Sequence, residues 1–281
     1  MSSPERQAQL EWERSTGRWA AAAAIGTVVL ILASNVMRAV VLTGDLDTDR
    51  EQLASIDDAG SGLLGSSMLQ ALSQVALAFV LFYLYRVAKF RRPELPGFTL
   101  GLIVVAPLLV VVGRIITDVG LLDIADSFVS SGVTEGAAGE ERAENLIEDR
   151  SLVGPGLLQA GVLALGLSLV ILCLNAMRAG VLSRFMGVLG IIIGVLYVIP
   201  LFGGPSFVQI FWAGALAALF LDRWPNGRGP AWGSGEPDPW PTAAQLRAEA
   251  VEAQLEEQAG AEPDASGDEP EQPQRRKRKR R

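Results

Sequence analysis

The sequence contains no histidine and a single cysteine, Cys173, among its 281 residues. The lack of histidine excludes His general bases and the Cys/His sites that hold zinc. One cysteine cannot form an intrachain disulfide, and within an apolar segment it behaves as a small apolar residue. There is no phosphate loop, since Gly154-Pro155-Gly156 is typical of a helix start. We therefore expect no metal, no cofactor and no enzymatic activity.

Charged residues are scarce within six long apolar runs, although they make up 20% of the chain. About 20 apolar residues form a helix long enough to cross a bilayer, where backbone groups must be satisfied internally. The alternating strands of a membrane barrel are absent. The sequence thus predicts an all-α, polytopic membrane protein with a six-transmembrane-helix bundle over 19–222. The predicted spans are 19–42, 63–85, 98–122, 152–174, 183–201 and 207–221.

The first predicted span differs from a secretory signal peptide. About 18 hydrophilic residues precede it, including Glu5, Glu11 and Glu13, and its apolar run exceeds the usual length of about 7–15 residues. We expect a retained helix, with 1–18 as a cytoplasmic segment before it.

The gaps between the spans alternate in charge. The gaps 43–62 and 123–151 carry six and eight acidic residues, whereas 86–97 carries four basic residues against Glu94. Positive charge resists translocation, so we expect both termini in the cytoplasm and the two acidic loops outside. The chain uses 21 Arg and 3 Lys with abundant Ala and Gly, which is typical of GC-rich bacterial genes. We expect a bacterial cytoplasmic (inner) membrane.

Polar side chains within the spans fall in one layer, in the outer half of the membrane, when depth is counted at about 1.5 Å per residue. They also share helix faces, since Arg114 and Asp118 are four residues apart and can touch. Ionisable groups in lipid are costly and are candidates for functional sites. The candidate ligand-binding residues are Asn35, Arg38, Gln70, Gln74, Arg114, Asp118 and Gln159.

Three interpretations of this polar layer stay open. The residues could line an outward-opening cavity that binds a small solute or a lipid headgroup. They could instead form a packed polar seam between helices, where such contacts average about 0.6 kcal/mol in one well-studied system. Alternatively, Arg38 and Asp118 could simply reach the outer headgroups.

The predicted cytoplasmic tail, 223–281, changes in composition along its length. Residues 226–241 are rich in Pro, Gly and Trp and predict a linker. Thr242 and Gln245 form a capping-box pattern ahead of a short, marginal helix. Residues 259–274 are acidic and Pro-rich, which predicts disorder.

The last seven residues are all basic. Near an anionic leaflet each contributes about 1 kcal/mol of attraction, so we expect anionic lipid headgroups as their partner. Basic runs also bind nucleic acid without specificity, which we do not expect for a tail tethered at a membrane. Neutralisation by the preceding acidic run is the remaining alternative. The residues concerned are Arg275, Arg276, Lys277, Arg278, Lys279, Arg280 and Arg281.

A basic residue leads into a Gly-rich apolar run at Leu182-Ser183-Arg184-Phe185-Met186-Gly187-Val188-Leu189-Gly190. Together with long outer loops after the first and third spans and a basic inner loop after the second, this resembles a family of uncharacterised six-helix bacterial membrane proteins, a domain of unknown function. The resemblance covers about 19–222. It implies the six-helix fold and brings no catalytic residues.

Taken together, these patterns favour a non-enzymatic membrane protein that binds or transports a small solute or lipid. The alternative is a membrane scaffold whose basic tail recruits anionic lipid or a partner. The two halves show no convincing repeat, and no span is clearly broken at its centre, which weakens the transporter interpretation. The step from Gly190 to Gly194 favours packing within the chain over a homodimer contact. The sequence specifies no oligomeric state.

Overall fold

The computed structural model describes residues 3–42, 47–199, 206–225 and 227–240, together with 245, 247–248 and 251–254. The chain divides into two units, Met1–Trp240 and Pro241–Arg281. In the second unit the described residues are helical, in the stretch where the sequence predicts a marginal helix. The basic run 275–281 lies outside the described residues.

Regular secondary structure in the described part of the chain is helical throughout, which confirms the predicted all-α class. The helices are α1 (Ser3–Val41), α2 (Asp49–Ala59), α3 (Ser61–Arg91), α4 (Phe98–Ser130), α5 (Gly136–Glu148), α6 (Val153–Arg178), α7 (Arg184–Val198), α8 (Ser206–Phe220) and α9 (Ala231–Ser234). Two of the helices, α2 and α7, have a side-chain N-cap. The Thr48 hydroxyl accepts a hydrogen bond from the backbone N–H of Glu51, and the Ser183 hydroxyl accepts one from the backbone N–H of Met186.

Four helices are long and apolar enough to cross a membrane: Pro4–Val41 of α1, Ser61–Arg91, Phe98–Ser130 and Val153–Arg178. The apolar helices Arg184–Val198 and Phe207–Phe220 are shorter. Large apolar side chains stand exposed on the long helices, among them Val36, Val75, Leu108 and Leu167. Exposed apolar surface of this extent suits contact with lipid, as expected of a membrane protein.

Six helices pack as a closed ring in the order α1, α3, α4, α6, α7, α8 and back to α1. Glycines allow the closest contacts in this ring. A side chain on Gly161 of α6 would meet the backbone of α4, at 2.7 Å from Val110 N. Gly190 and Gly194 of α7 face Cys173 and Gly166 of α6, so these small residues pack within the chain.

The two ends of the ring differ in charge. At the acidic end, α2 and α5 pack on the last turns of α4 around the buried ring of Phe128. These two helices occupy parts of the gaps that the sequence assigned to outer loops, and α4 runs on to Ser130, beyond the predicted span 98–122. The basic end is formed by the end of α3 and the α6–α7 turn, which carry Lys89, Arg91, Arg92, Arg178 and Arg184.

A buried ion pair joins α1 to α3 at the basic end. Glu13 accepts from Arg91 with both carboxylate oxygens, and the Arg91 side chain is fully buried. Tyr83 donates its hydroxyl to the backbone carbonyl of Glu13 at 2.9 Å. The segment 1–18, predicted to precede the membrane domain, is therefore helical from Ser3 and packs into the core.

Residues 227–240 fold back onto the basic end, where the sequence predicted a linker within a largely disordered tail. Arg91 donates to the carbonyl of Ala231 at 2.8 and 3.0 Å, and Trp232 donates from Nε1 to Val181 O at 3.0 Å. Trp240 likewise donates to Gly180 O at 3.0 Å. Two buried donors, on Arg91 and Trp232, and the half-buried indole of Trp240 thus hold this segment within the first unit, which extends to Trp240.

Candidate ligand-binding cavity

All six helices of the ring contribute to one cavity of about 380 Å³. It lies toward the acidic end, between the last turns of α1 and the first turns of α3 and α6. Its volume falls within the range of small-molecule sites. The polar lining residues are Ser34, Asn35, Arg38, Ser66, Ser67, Gln70, Gln74, Arg114, Gln159, Tyr197 and Gln209.

The structure brings the seven predicted site residues together. Asn35, Arg38, Gln70, Gln74, Arg114 and Gln159 line the cavity itself. Asp118 lies behind Arg114 and is only 1% exposed. Its carboxylate is therefore enclosed by protein, which favours a packed position over contact with the outer headgroups.

An ion pair within α4 positions Arg114, one of the two cations on the cavity wall. Arg114 donates from Nε to Asp118 Oδ2 at 2.9 Å, the contact that their spacing predicts. Ser67 of α3 donates its hydroxyl to the same carboxylate oxygen. Asp118 is thus neutralised by Arg114 and hydrogen-bonded from α3, and the Arg114 side chain keeps 30% exposure.

Arg38 is a second cation on the cavity wall. Among the described residues no carboxylate lies within 4.0 Å of its guanidinium, and its buried Nη1 has no hydrogen-bond partner. Two neighbouring amides are also incompletely paired, at Gln74 Oε1 and Gln209 Nε2. The Gln74 and Gln209 residues are 3% and 5% exposed, so bulk water does not satisfy these atoms.

Other amides of the cavity are oriented by hydroxyl groups. Ser34 of α1 donates to Gln70 Oε1 of α3 at 2.9 Å, and Tyr197 of α7 donates to Gln209 Oε1 of α8 at 2.8 Å. Each bond links two helices of the ring. The second bond fixes the Gln209 amide through its oxygen and leaves its Nε2 as the unpaired atom.

Ser34, Ser67 and Tyr197 were absent from the predicted set. The helical spacing of Ser67 and Gln70, three residues apart, was a usable signal for Ser67. Ser34 directly precedes Asn35, and only its contact with Gln70 across the helix interface reveals a role. Tyr197 sits near the end of a span, where an aromatic residue ordinarily indicates the membrane interface.

A larger cavity of about 720 Å³ lies beside α1 near Arg14 and Arg18. All of its lining residues belong to α1 alone, so it is a shallow feature of one helix. The cavity within the ring is smaller but combines charge, unpaired amides and walls from six helices. It is the better candidate for a binding site.

Fold and cavity together define a helical membrane protein with a polar cavity inside its helix ring. The sequence matches no protein-family model, and comparison with curated proteins and with solved structures finds no match. The resemblance to six-helix bacterial membrane proteins therefore stays a prediction.

Proposed function

We propose that this protein spans the membrane six times and binds a small anionic solute in the cavity of its helix ring. The observation that carries the proposal is that no carboxylate of a described residue lies within 4.0 Å of the Arg38 guanidinium, and that its buried Nη1 has no hydrogen-bond partner. A cation within a membrane span is costly, and its retention there is typical of a functional site.

The charges of the cavity favour an anion. Arg38 and Arg114 supply two positive charges, and Asp118 behind the wall supplies one negative charge. The net charge of plus one would be neutralised by a carboxylate or a phosphate. An arginine side chain suits both groups, because its planar donors match their oxygen geometry.

The unpaired amides indicate what else the solute carries. Gln209 Nε2 and Arg38 Nη1 can donate hydrogen bonds, and Gln74 Oε1 can accept one. A solute with an anionic group and a hydroxyl or amine would pair all three atoms. Such a solute would relieve buried groups whose lack of a partner costs about 1–3 kcal/mol each.

For the topology, we propose that α7 and α8 are the fifth and sixth spans. Each has 15 residues, or roughly 22 Å at the helical rise, so the bilayer would thin locally or charged ends would reach outward. Their place in the closed ring supports this assignment. The charge asymmetry of the gaps supports cytoplasmic termini, with the acidic end and the cavity facing outward.

We further propose a bacterial inner membrane as the location and a disordered tail beyond the folded unit. The protein would act by binding or transport, without catalysis. A small anion captured from the outer side is the ligand that best fits both the topology and the charge of the cavity.

The proposal is tested by anion-dependent stability of the purified full-length chain. Phosphate, sulfate, acetate and lactate are added at constant ionic strength, and thermal unfolding is followed for the parent, Arg38→Gln and Arg142→Gln. Arg142 is an exposed arginine on α5, so its substitution makes the same charge change away from the cavity.

A bound anion stabilises the folded state by about 2.7 kcal/mol at a hundredfold excess over Kd. We expect at least one of these anions to raise Tm in the parent and in Arg142→Gln but not in Arg38→Gln. Equal shifts in all three proteins, or none in the parent, would reject an anion site at Arg38.

A further inference from the structure

A second cavity, of about 470 Å³, lies at the basic end beside the α6–α7 turn. Three arginines line it: Arg92 after α3, Arg178 at the end of α6 and Arg184 at the start of α7. Met177 and Val188 add apolar walls. This combination of positive charge and apolar surface differs from the polar cavity inside the ring.

Two of the three arginines are available to an anion. Arg92 donates to Glu94 Oε2 at 3.0 and 3.2 Å. For Arg178 and Arg184, which are both exposed, no carboxylate of a described residue lies within 4.0 Å. The cavity therefore keeps a positive surplus after its nearest ion pair is counted.

The Trp240 ring closes one side of this cavity. Its Nε1 donates to Gly180 O at 3.0 Å, which fixes the ring against the α6–α7 turn. Tryptophan anchored in this way is common at membrane–water interfaces, where one face meets lipid and the polar edge is paired. The cavity thus sits where a lipid headgroup region would meet the protein.

An apolar stripe leads away from the cavity along α7. Phe185, Val188, Ile192 and Val195 repeat at helical spacing and are between 44% and 56% exposed. Val188 belongs to both the stripe and the cavity wall. A small water-soluble anion would make no apolar contact with this stripe, whereas the acyl chain of a lipid would lie along it.

We propose that this cavity binds one anionic phospholipid, with its phosphate among Arg92, Arg178 and Arg184 and an acyl chain along α7. Basic pockets between membrane helices bind anionic headgroups on the positively charged side of a protein. Neither the basic run 275–281 nor the anion cavity near Arg38 enters this proposal, so its failure would leave both of those proposals standing.

The experiment compares lipid binding by the full-length, delipidated protein in detergent. Phosphatidylglycerol, phosphatidylcholine and inorganic phosphate are titrated, and bound lipid is counted by native mass spectrometry alongside Tm. The variants are Arg178→Gln/Arg184→Gln and the control Arg142→Gln/Arg150→Gln, which removes the same charge at the acidic end. All of these proteins keep the basic tail, so any lipid that the tail binds is common to both double variants and does not affect their comparison.

We expect the parent and the control to retain phosphatidylglycerol, with phosphatidylcholine binding far more weakly. Loss of two arginines should weaken phosphatidylglycerol binding roughly thirtyfold while leaving lipid-free Tm unchanged. Equal affinity in both double variants would overturn the site. Inorganic phosphate that competes as well as the lipid at equal concentration would overturn the lipid assignment.

Discussion

Glu13 and Arg91 lie 78 residues apart in the chain and form a two-point salt bridge, at 2.7 and 2.9 Å, with 3% and 0% side-chain exposure. Arg91 also donates to Val87 O and to Ala231 O, so its donors serve three elements. A buried ion pair contributes little more stability than a well-packed apolar pair would. Removal of one partner, however, leaves the other charge buried and uncompensated. This pair therefore fixes how α1, α3 and residues 227–240 meet.

Arg91→Met should destabilise the protein by about 3–5 kcal/mol, because Glu13 is left buried and charged. Thermal unfolding in detergent measures the loss. The double variant Glu13→Gln/Arg91→Met should recover part of the stability. Arg92→Met is the matched control, since its ion pair with the exposed Glu94 contributes about 1 kcal/mol or less. Equal losses from Arg91→Met and Arg92→Met would refute the role assigned to the buried pair.

Trp232 anchors residues 227–240 through its indole and through Arg228, whose guanidinium carbon lies 5.1 Å from the ring centroid. Trp232→Ala should release this segment, because it removes a buried ring and a hydrogen bond to Val181 O. Trypsin should then cleave at Arg228 several times faster than in the parent. The control is Trp19→Ala, whose side chain is 71% exposed on α1. Unchanged cleavage after Trp232→Ala would mean that the segment is held in some other way.

Gly161 sets the approach of α6 to α4. A Cβ there would lie 2.7 Å from Val110 N and 2.9 Å from Ala106 O, so Gly161→Ala must push the helices apart. We expect a loss of about 1–3 kcal/mol, the usual cost of overpacking. On the same helix, Gly156 has nothing within 4 Å of an added Cβ. Gly156→Ala should therefore be neutral or stabilising, because alanine favours helix by up to about 1 kcal/mol.

The polar layer was predictable because depth along a helix follows directly from residue number. Once the span boundaries are approximately right, Arg38, Gln70 and Arg114 must fall at similar heights, and the i,i+4 spacing brings Arg114 to Asp118. The cavity at this height was one of three interpretations. Its shape depends on how six helices pack, which hydropathy does not encode.

The basic end was not predictable by the same reasoning. The Pro, Gly and Trp content of 226–241 is typical of a linker, yet the indoles of Trp232 and Trp240 donate to carbonyls of the turn between α6 and α7. The pairing of Glu13 with Arg91 likewise joins residues that no local pattern relates. Contacts between distant segments decide both features, whereas composition and periodicity report only local preference.

To bind a small anion, the cavity within the helix ring must be positively charged and open to water. The most direct test uses Cys173→Ser protein with a single cysteine at Gln70, on the cavity wall, in membranes with the outer face exposed. Reaction rates are measured with an anionic and with a cationic impermeant methanethiosulfonate reagent. A cysteine at Ser168, which is fully buried in α6, serves as the protected control.

We predict that the cysteine at 70 reacts and that the anionic reagent is favoured by about tenfold, corresponding to roughly 1.4 kcal/mol of electrostatic attraction. In the Arg38→Gln background the ratio of the two rates should fall toward that of a free thiol. Protection of the cysteine at 70 from both reagents, or a preference for the cationic reagent, would contradict the account.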